Sequence, residues 1–112
     1  MIARKLKIGF LGANLAYAAQ LKGLIERHTA HRWAWQARSL AQCIEQCHQT
    51  VPHIILLDTA DTSLDTARTV GDLRRQFHSQ ILLMSPSTDC PTHRVFAALG
   101  AGAIDVVSLN RE

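Results

Sequence analysis

Apolar residues in this chain come in short blocks, and the spacing within the blocks switches between the two-residue period of a strand and the three-to-four-residue period of a helix. The densest block is Ile54-Ile55-Leu56-Leu57, preceded by Pro52 and closed by Asp58. A continuous apolar run this short predicts a strand buried on both faces, as in a parallel sheet covered by helices. Asp58 then stands at the carboxyl end of that strand, where open α/β sheets hold their ligand chemistry. It serves a site there or caps the segment that follows; the run alone leaves both open.

The other blocks fall into place around this one. Leu6 to Gly12 predicts a first strand, and Gly12-Ala13-Asn14 a turn. Asn14 is an N-cap for a helix over 15–28, with Ala18, Leu21, Leu24 and Ile25 as its apolar stripe. Arg32 to Ala37 predicts a second strand with Trp33, Trp35 and Ala37 on one face. The paired indoles cover one end of a core, the alternative being a platform for a base. Ser39 caps a second helix reaching Gln49, in which Leu40, Cys43, Ile44 and Cys47 recur at helical spacing. A third helix is expected over 64–77, with Ala67, Val70, Leu73 and Phe77 facing in; Gly71 inside it costs about 1 kcal/mol relative to Ala. Gln80 to Ser85 is a fourth strand, 92–99 a fourth helix stopped by Gly100, and 103–108 a fifth strand.

Strands alternating with helices predict an α/β fold, here a five-stranded doubly wound parallel sheet, with residues 1–112 as one domain. Only Leu109-Asn110-Arg111-Glu112 follow the last strand, so the closing fifth helix is expected to be absent from this stretch. Either the domain is the N-terminal part of a longer protein, or a partner covers the exposed apolar patch.

Composition narrows the function classes. The 112 residues are 47% hydrophobic, enough for one core. The formal net charge is +3, and Arg4, Lys5 and Lys7 form the only small basic cluster. A nucleic-acid partner needs a basic stripe or face, so none is expected. No apolar run approaches the ~18 residues of a membrane span, and no signal peptide opens the chain, so neither membrane contact nor export is expected. Three cysteines, an odd number, read as free thiols in a reducing cytoplasm. Cys43 and Cys47 lie on the inward stripe of their helix. With His48 they fall short of a zinc site, which takes four ligands, so they are small buried hydrophobes.

The carboxyl edge of the sheet gathers Gly12 and Ala13, Asp58, Ser85 and the Ser108 region. A carboxylate facing a hydroxyl across a parallel sheet suits an aspartyl-phosphate site. The carboxylate attacks phosphorus, and the hydroxyl bonds a phosphoryl oxygen. Such a site requires Mg²⁺ held by oxygen ligands and profits from a nearby Lys.

From Lys7 to Asn110 the chain resembles a response-regulator receiver (CheY-like) domain, and among these the N-terminal receiver of the chemotaxis protein-glutamate methylesterases of CheB and WspF type. His93-Arg94-Val95-Phe96-Ala97-Ala98-Leu99-Gly100-Ala101-Gly102-Ala103-Ile104-Asp105-Val106-Val107 carries most of the likeness, and Pro52 to Asp58 matches the family's acceptor strand. The resemblance implies strand order 2-1-3-4-5, Asp58 as phosphoacceptor and Ser85 as switch hydroxyl. It implies a histidine kinase or the protein's own C-terminal effector domain as partner, with homodimerisation a further option, in two-component phosphorelay signalling.

The departures are at the chemistry. The family's acidic pair falls on Gly12 and Ala13, and its Lys on Leu109. Mg²⁺ binding is therefore expected to be weak or absent, with no other cofactor or metal, and phosphorylation very slow or absent. Losing such clamps costs several kcal/mol of transition-state stabilisation. Asp61 is a substitute ligand only if it turns toward the pocket. The chain alone carries no esterase residues and is not expected to be an enzyme, although its parent protein would be a methylesterase. Two alternatives stand beside this reading: a stand-alone pseudo-receiver serving as an interaction or dimerisation module, and a nucleotide-binding enzyme fragment suggested by Gly9-Phe10-Leu11-Gly12, whose spacing departs from G-x-G-x-x-G.

Overall fold

A computed structural model describes residues 5–58, 65–85 and 105–108. Within them the elements run β1 (Lys7–Leu11), α1 (Leu15–His28), β2 (Arg32–Ala37), α2 (Leu40–Gln49), β3 (Ile54–Asp58), α3 (Thr66–Gln76), β4 (Gln80–Ser85) and β5 (Asp105–Ser108). All strand pairs are parallel, and the sheet order is β2-β1-β3-β4-β5. The apolar block at residues 54–57 thus becomes the central strand, buried because it has neighbours on both edges and helices on both faces. The expected helix over 92–99, Asp61, Leu109 and the chain end lie outside the described residues.

The two-residue strand period divides the core in two. Ile8, Phe10, Leu56 and Met84 pack under α1 with Tyr17, Ala18 and Leu21. Leu11, Ile55, Leu57, Ile81 and Leu83 pack on the other face against Cys43 and Cys47 of α2 and Val70 and Leu73 of α3. Cys43 and Cys47 are fully buried free thiols one turn apart on α2. Burial raises both thiol pKa values, so they stay protonated, as inert hydrophobes should.

Each described helix starts on a side-chain cap. Asn14, Ser39 and Asp65 accept from the amides of Tyr17, Gln42 and Arg68. The third helix therefore starts at Thr66, later than the apolar pattern placed it. Its buried stripe is Thr66, Thr69, Val70 and Leu73, while Ala67 and Phe77 are half-buried. A threonine methyl fills a helix–sheet gap as an alanine would, which hydropathy alone does not register.

The tryptophans correct a second expectation. The β1–β2 register slips between Ile8 and Gly9, pairing Ile8 with Trp33 and Gly9 with Trp35. Ala34 is the extra residue, and a bulge of one residue reverses the parity of everything before it. Trp33 consequently packs with the α1 face and Trp35 and Ala37 with the opposite one. Trp35 lies over Gly9, where a Cβ would sit 2.7 Å from its ring. Its indole N–H donates to the Thr50 carbonyl at 3.0 Å. The indoles are core pieces on two faces rather than one platform.

Candidate functional site

The carboxyl ends of β1, β3, β4 and β5 converge as the apolar pattern requires. Asp58 ends β3 and is only 2% exposed. Its neighbour in register is Met84, so Ser85, the last residue of β4, stands one position beyond and pairs with Ser108, the last of β5. Asp58 follows Leu56 by two residues and so shares the α1 face of the sheet.

Gly12 follows β1, and its amide donates to the Ala37 carbonyl at 3.0 Å, extending the β1–β2 pairing by one bond. It also follows Phe10 by two, so its α1 side faces Asp58. A Cβ built there would meet the Asp58 Cβ at 2.8 Å and the Phe10 ring at 3.0 Å. The position that would carry the first acid of a metal-binding pair is thus filled by Asp58 and Phe10 themselves. Ala13, the second position, is exposed in the turn before α1. Neither residue offers an oxygen-bearing side chain, and no group of three His, Cys, Asp or Glu among the described residues is arranged to hold a metal. Mg²⁺ does not fit the described part of this site. Gly9 and Gly12 are both accounted for by close packing of the protein's own side chains, which removes the reason to read them as a phosphate cradle.

One functional candidate escaped the sequence reading. Tyr17, in the first turn of α1, is 3% exposed, and its hydroxyl has no hydrogen-bond partner among the described residues. Its ring meets Phe10 edge-on, with centroids 6.1 Å apart. Burial and, secondarily, the Asp58 charge push its pKa from its ordinary value of 10.0 up to about 12. Its place in the sequence was a weak signal: it precedes Ala18 on the inward side, but the hydroxyl disguises it as an interface residue.

Tyr17 is the chain's single tyrosine, so phenolate absorbance reads it alone. The folded protein holds the neutral phenol more tightly than the unfolded chain does. Between pH 10 and about 12 the unfolded state therefore loses a proton that the folded state retains, and stability falls as pH rises through that window. Titration is expected to show a midpoint near 12, and a lower one in Asp58→Asn. A midpoint of 10 in the folded protein would contradict the burial.

Comparison with known proteins places this edge in context. No family model matches the chain. It is 32% identical over 92 residues to protein-glutamate methylesterase/protein-glutamine glutaminase 1 of Burkholderia lata, covering 81% of this chain and 28% of that protein. It is 28% identical over 87 residues to the corresponding enzyme of group 3 operon of Pseudomonas putida, covering 78% of this chain and 26% of the relative. The response regulator domain of Thermotoga maritima CheB superposes with a TM-score of 0.80 at 16% identity, over 94% of this chain and 78% of that one. The chain has the fold of a response-regulator receiver domain. The chain spans only about a quarter of the length of these methylesterase relatives. Among the described residues no helix is long and apolar enough to cross a membrane.

Proposed function

We propose that this receiver is the regulatory domain of a methylesterase-type response regulator that works by protein contact, with Asp58 at the acceptor position but phosphorylated slowly or not at all. Its partners are a histidine kinase or an effector domain of the same protein, in the cytoplasm. The observation that carries this reading is Gly12 packed against a buried Asp58, where a metal-binding acid would have to stand. A phosphoryl group arriving there would bring about two negative charges with no cation from β1 to meet them. Several kcal/mol of transition-state stabilisation are then missing. Ser85 ends β4 in register with Ser108, which supports assigning it the switch position.

Incubation with acetyl phosphate and Mg²⁺, followed by intact mass, is expected to show the unmodified protein as the dominant species. Rapid stoichiometric gain of one phosphoryl mass would overturn the reading. Extension of the coding sequence past Glu112 into an esterase domain would support the effector-domain partner over a stand-alone module, a distinction the relatives' greater length already favours.

A further inference from the structure

The Tyr17 hydroxyl is the described polar group that the fold leaves unexplained. A phenylalanine would fill the same space between Phe10, Ala18 and Leu21 without burying an unpaired donor. Leaving such a group unpaired is unfavourable, and among the described residues the hydroxyl is a donor available to a bound group. Three facts tie the phenol to the carboxyl edge. Tyr17 is in the first turn of α1, with its amide held by the Asn14 cap at 3.0 Å. The Phe10 ring bridges it to the Gly12 position, where the same would-be Cβ meets both Phe10 and Asp58. Tyr17 also packs on the face of the sheet that Asp58 shares, close enough for the Asp58 charge to act on the phenol.

We propose that the Tyr17 hydroxyl donates a hydrogen bond to a tetrahedral anion seated on Asp58, a phosphoryl group or its fluoride mimic, in place of a metal ion. A neutral donor needs no carboxylates to hold it, which suits an edge built from Gly12 and Ala13. It offers less stabilisation than a divalent cation, which agrees with slow phosphorylation. Should a phosphoryl donor react, an Asp58 carboxylate oxygen forms the new bond to phosphorus, and the donor's leaving oxygen departs with the electron pair of the broken bond. Tyr17 keeps its proton throughout and acts as a binding residue. This inference rests on Asp58 being the acceptor position of a metal-poor receiver.

The test is beryllofluoride binding to the 112-residue chain, with EDTA and with Mg²⁺, in the parent, Tyr17→Phe and Asp58→Asn. Two optical signals report it: the absorbance of the single tyrosine, and fluorescence of Trp33, which stacks on Phe10 at 6.0 Å. The expected result is saturable binding in EDTA with a perturbed tyrosine spectrum. Tyr17→Phe is expected to bind at least about tenfold more weakly, the worth of one hydrogen bond to a charged acceptor, and Asp58→Asn not at all. Tyr17→Phe should fold at least as stably as the parent, since it removes a buried unpaired group, so weak binding there is not a folding defect. Equal affinity in parent and Tyr17→Phe overturns the role of Tyr17 and leaves the metal-poor reading standing. No binding with or without Mg²⁺ does the same. Binding that requires Mg²⁺ overturns the metal-poor reading itself.

Discussion

Gly12→Asp, the substitution that would restore the first acid of a metal-binding pair, is expected to destabilise the domain by about 3 kcal/mol or more and to leave it without a Mg²⁺ site. The first part of the cost is steric. The new Cβ would arrive 2.8 Å from the Cβ of Asp58, an atom anchored directly to the backbone of the central strand, and 3.0 Å from the Phe10 ring. Overpacking of this kind typically costs about 1–3 kcal/mol because side chains leave their rotamers or strands shift. The second part is electrostatic, since a second carboxylate would be forced beside one that is 2% exposed. Like charges in such a place cannot both ionise freely, so one takes up a proton or the edge opens. In a domain of this size the sum lowers the melting temperature by about 10 °C or more. Ala13→Asp is the control: Ala13 is exposed in the turn, and the change is expected to stay within about 0.5 kcal/mol of the parent. Thermal unfolding of both variants, with and without Mg²⁺, measures the difference. A Gly12→Asp protein as stable as the parent would show that the edge relaxes, and that the missing acid is a matter of sequence rather than of packing.

Phe10→Ala is expected to be the most damaging single truncation around the site, at about 3–5 kcal/mol, a large part of a small domain's whole stability. Phe10 is fully buried in β1 and stands between two aromatic neighbours, edge-on to Tyr17 and stacked on Trp33 at an interplanar angle of 23°. Its removal takes away dispersion contacts on both sides and leaves a cavity against Leu56 and Ala18, which strands held in register close only in part. Urea unfolding followed by Trp fluorescence gives the loss, and Trp33 should report an altered environment even in the folded variant. The ring also limits Gly12, so Phe10→Ala and Gly12→Ala are expected to be less than additive. Full additivity would place the obstruction at Asp58 alone. Phe10 thus ties the stability of the α1 face to the shape of the carboxyl edge.

The elements themselves were legible because short apolar blocks with two clear periods leave few arrangements. The run at residues 54–57 demanded a central strand, and alternation with helices demanded a parallel sheet. Asn14 and Ser39 announced their helices by cap chemistry. Asp58 was legible as a site candidate for the same reason, since the carboxyl end of a central parallel strand is an edge where ligands bind. The cysteines were read correctly as core because both sit at helical spacing beside Leu40 and Ile44.

Other features required distances between segments far apart in the chain. The bulge at Ala34 carries no composition signal, yet it sends Trp33 and Trp35 to opposite faces. Tyr17 carries no signal of its own in the sequence; only the closed sheet buries its hydroxyl without a partner among the described residues. Gly12 was visible as a missing acid, but only the packing shows that the vacated space is already taken. By itself the sequence determined the sheet, the position of a carboxylate at the end of its central strand and the absence of side-chain oxygens at Gly12 and Ala13, because period and residue type are local properties. The tertiary structure decided which face each aromatic occupies and how tightly Asp58 is enclosed, because both depend on register between β1, β2 and β3, and a shift of one residue reverses a side chain's direction.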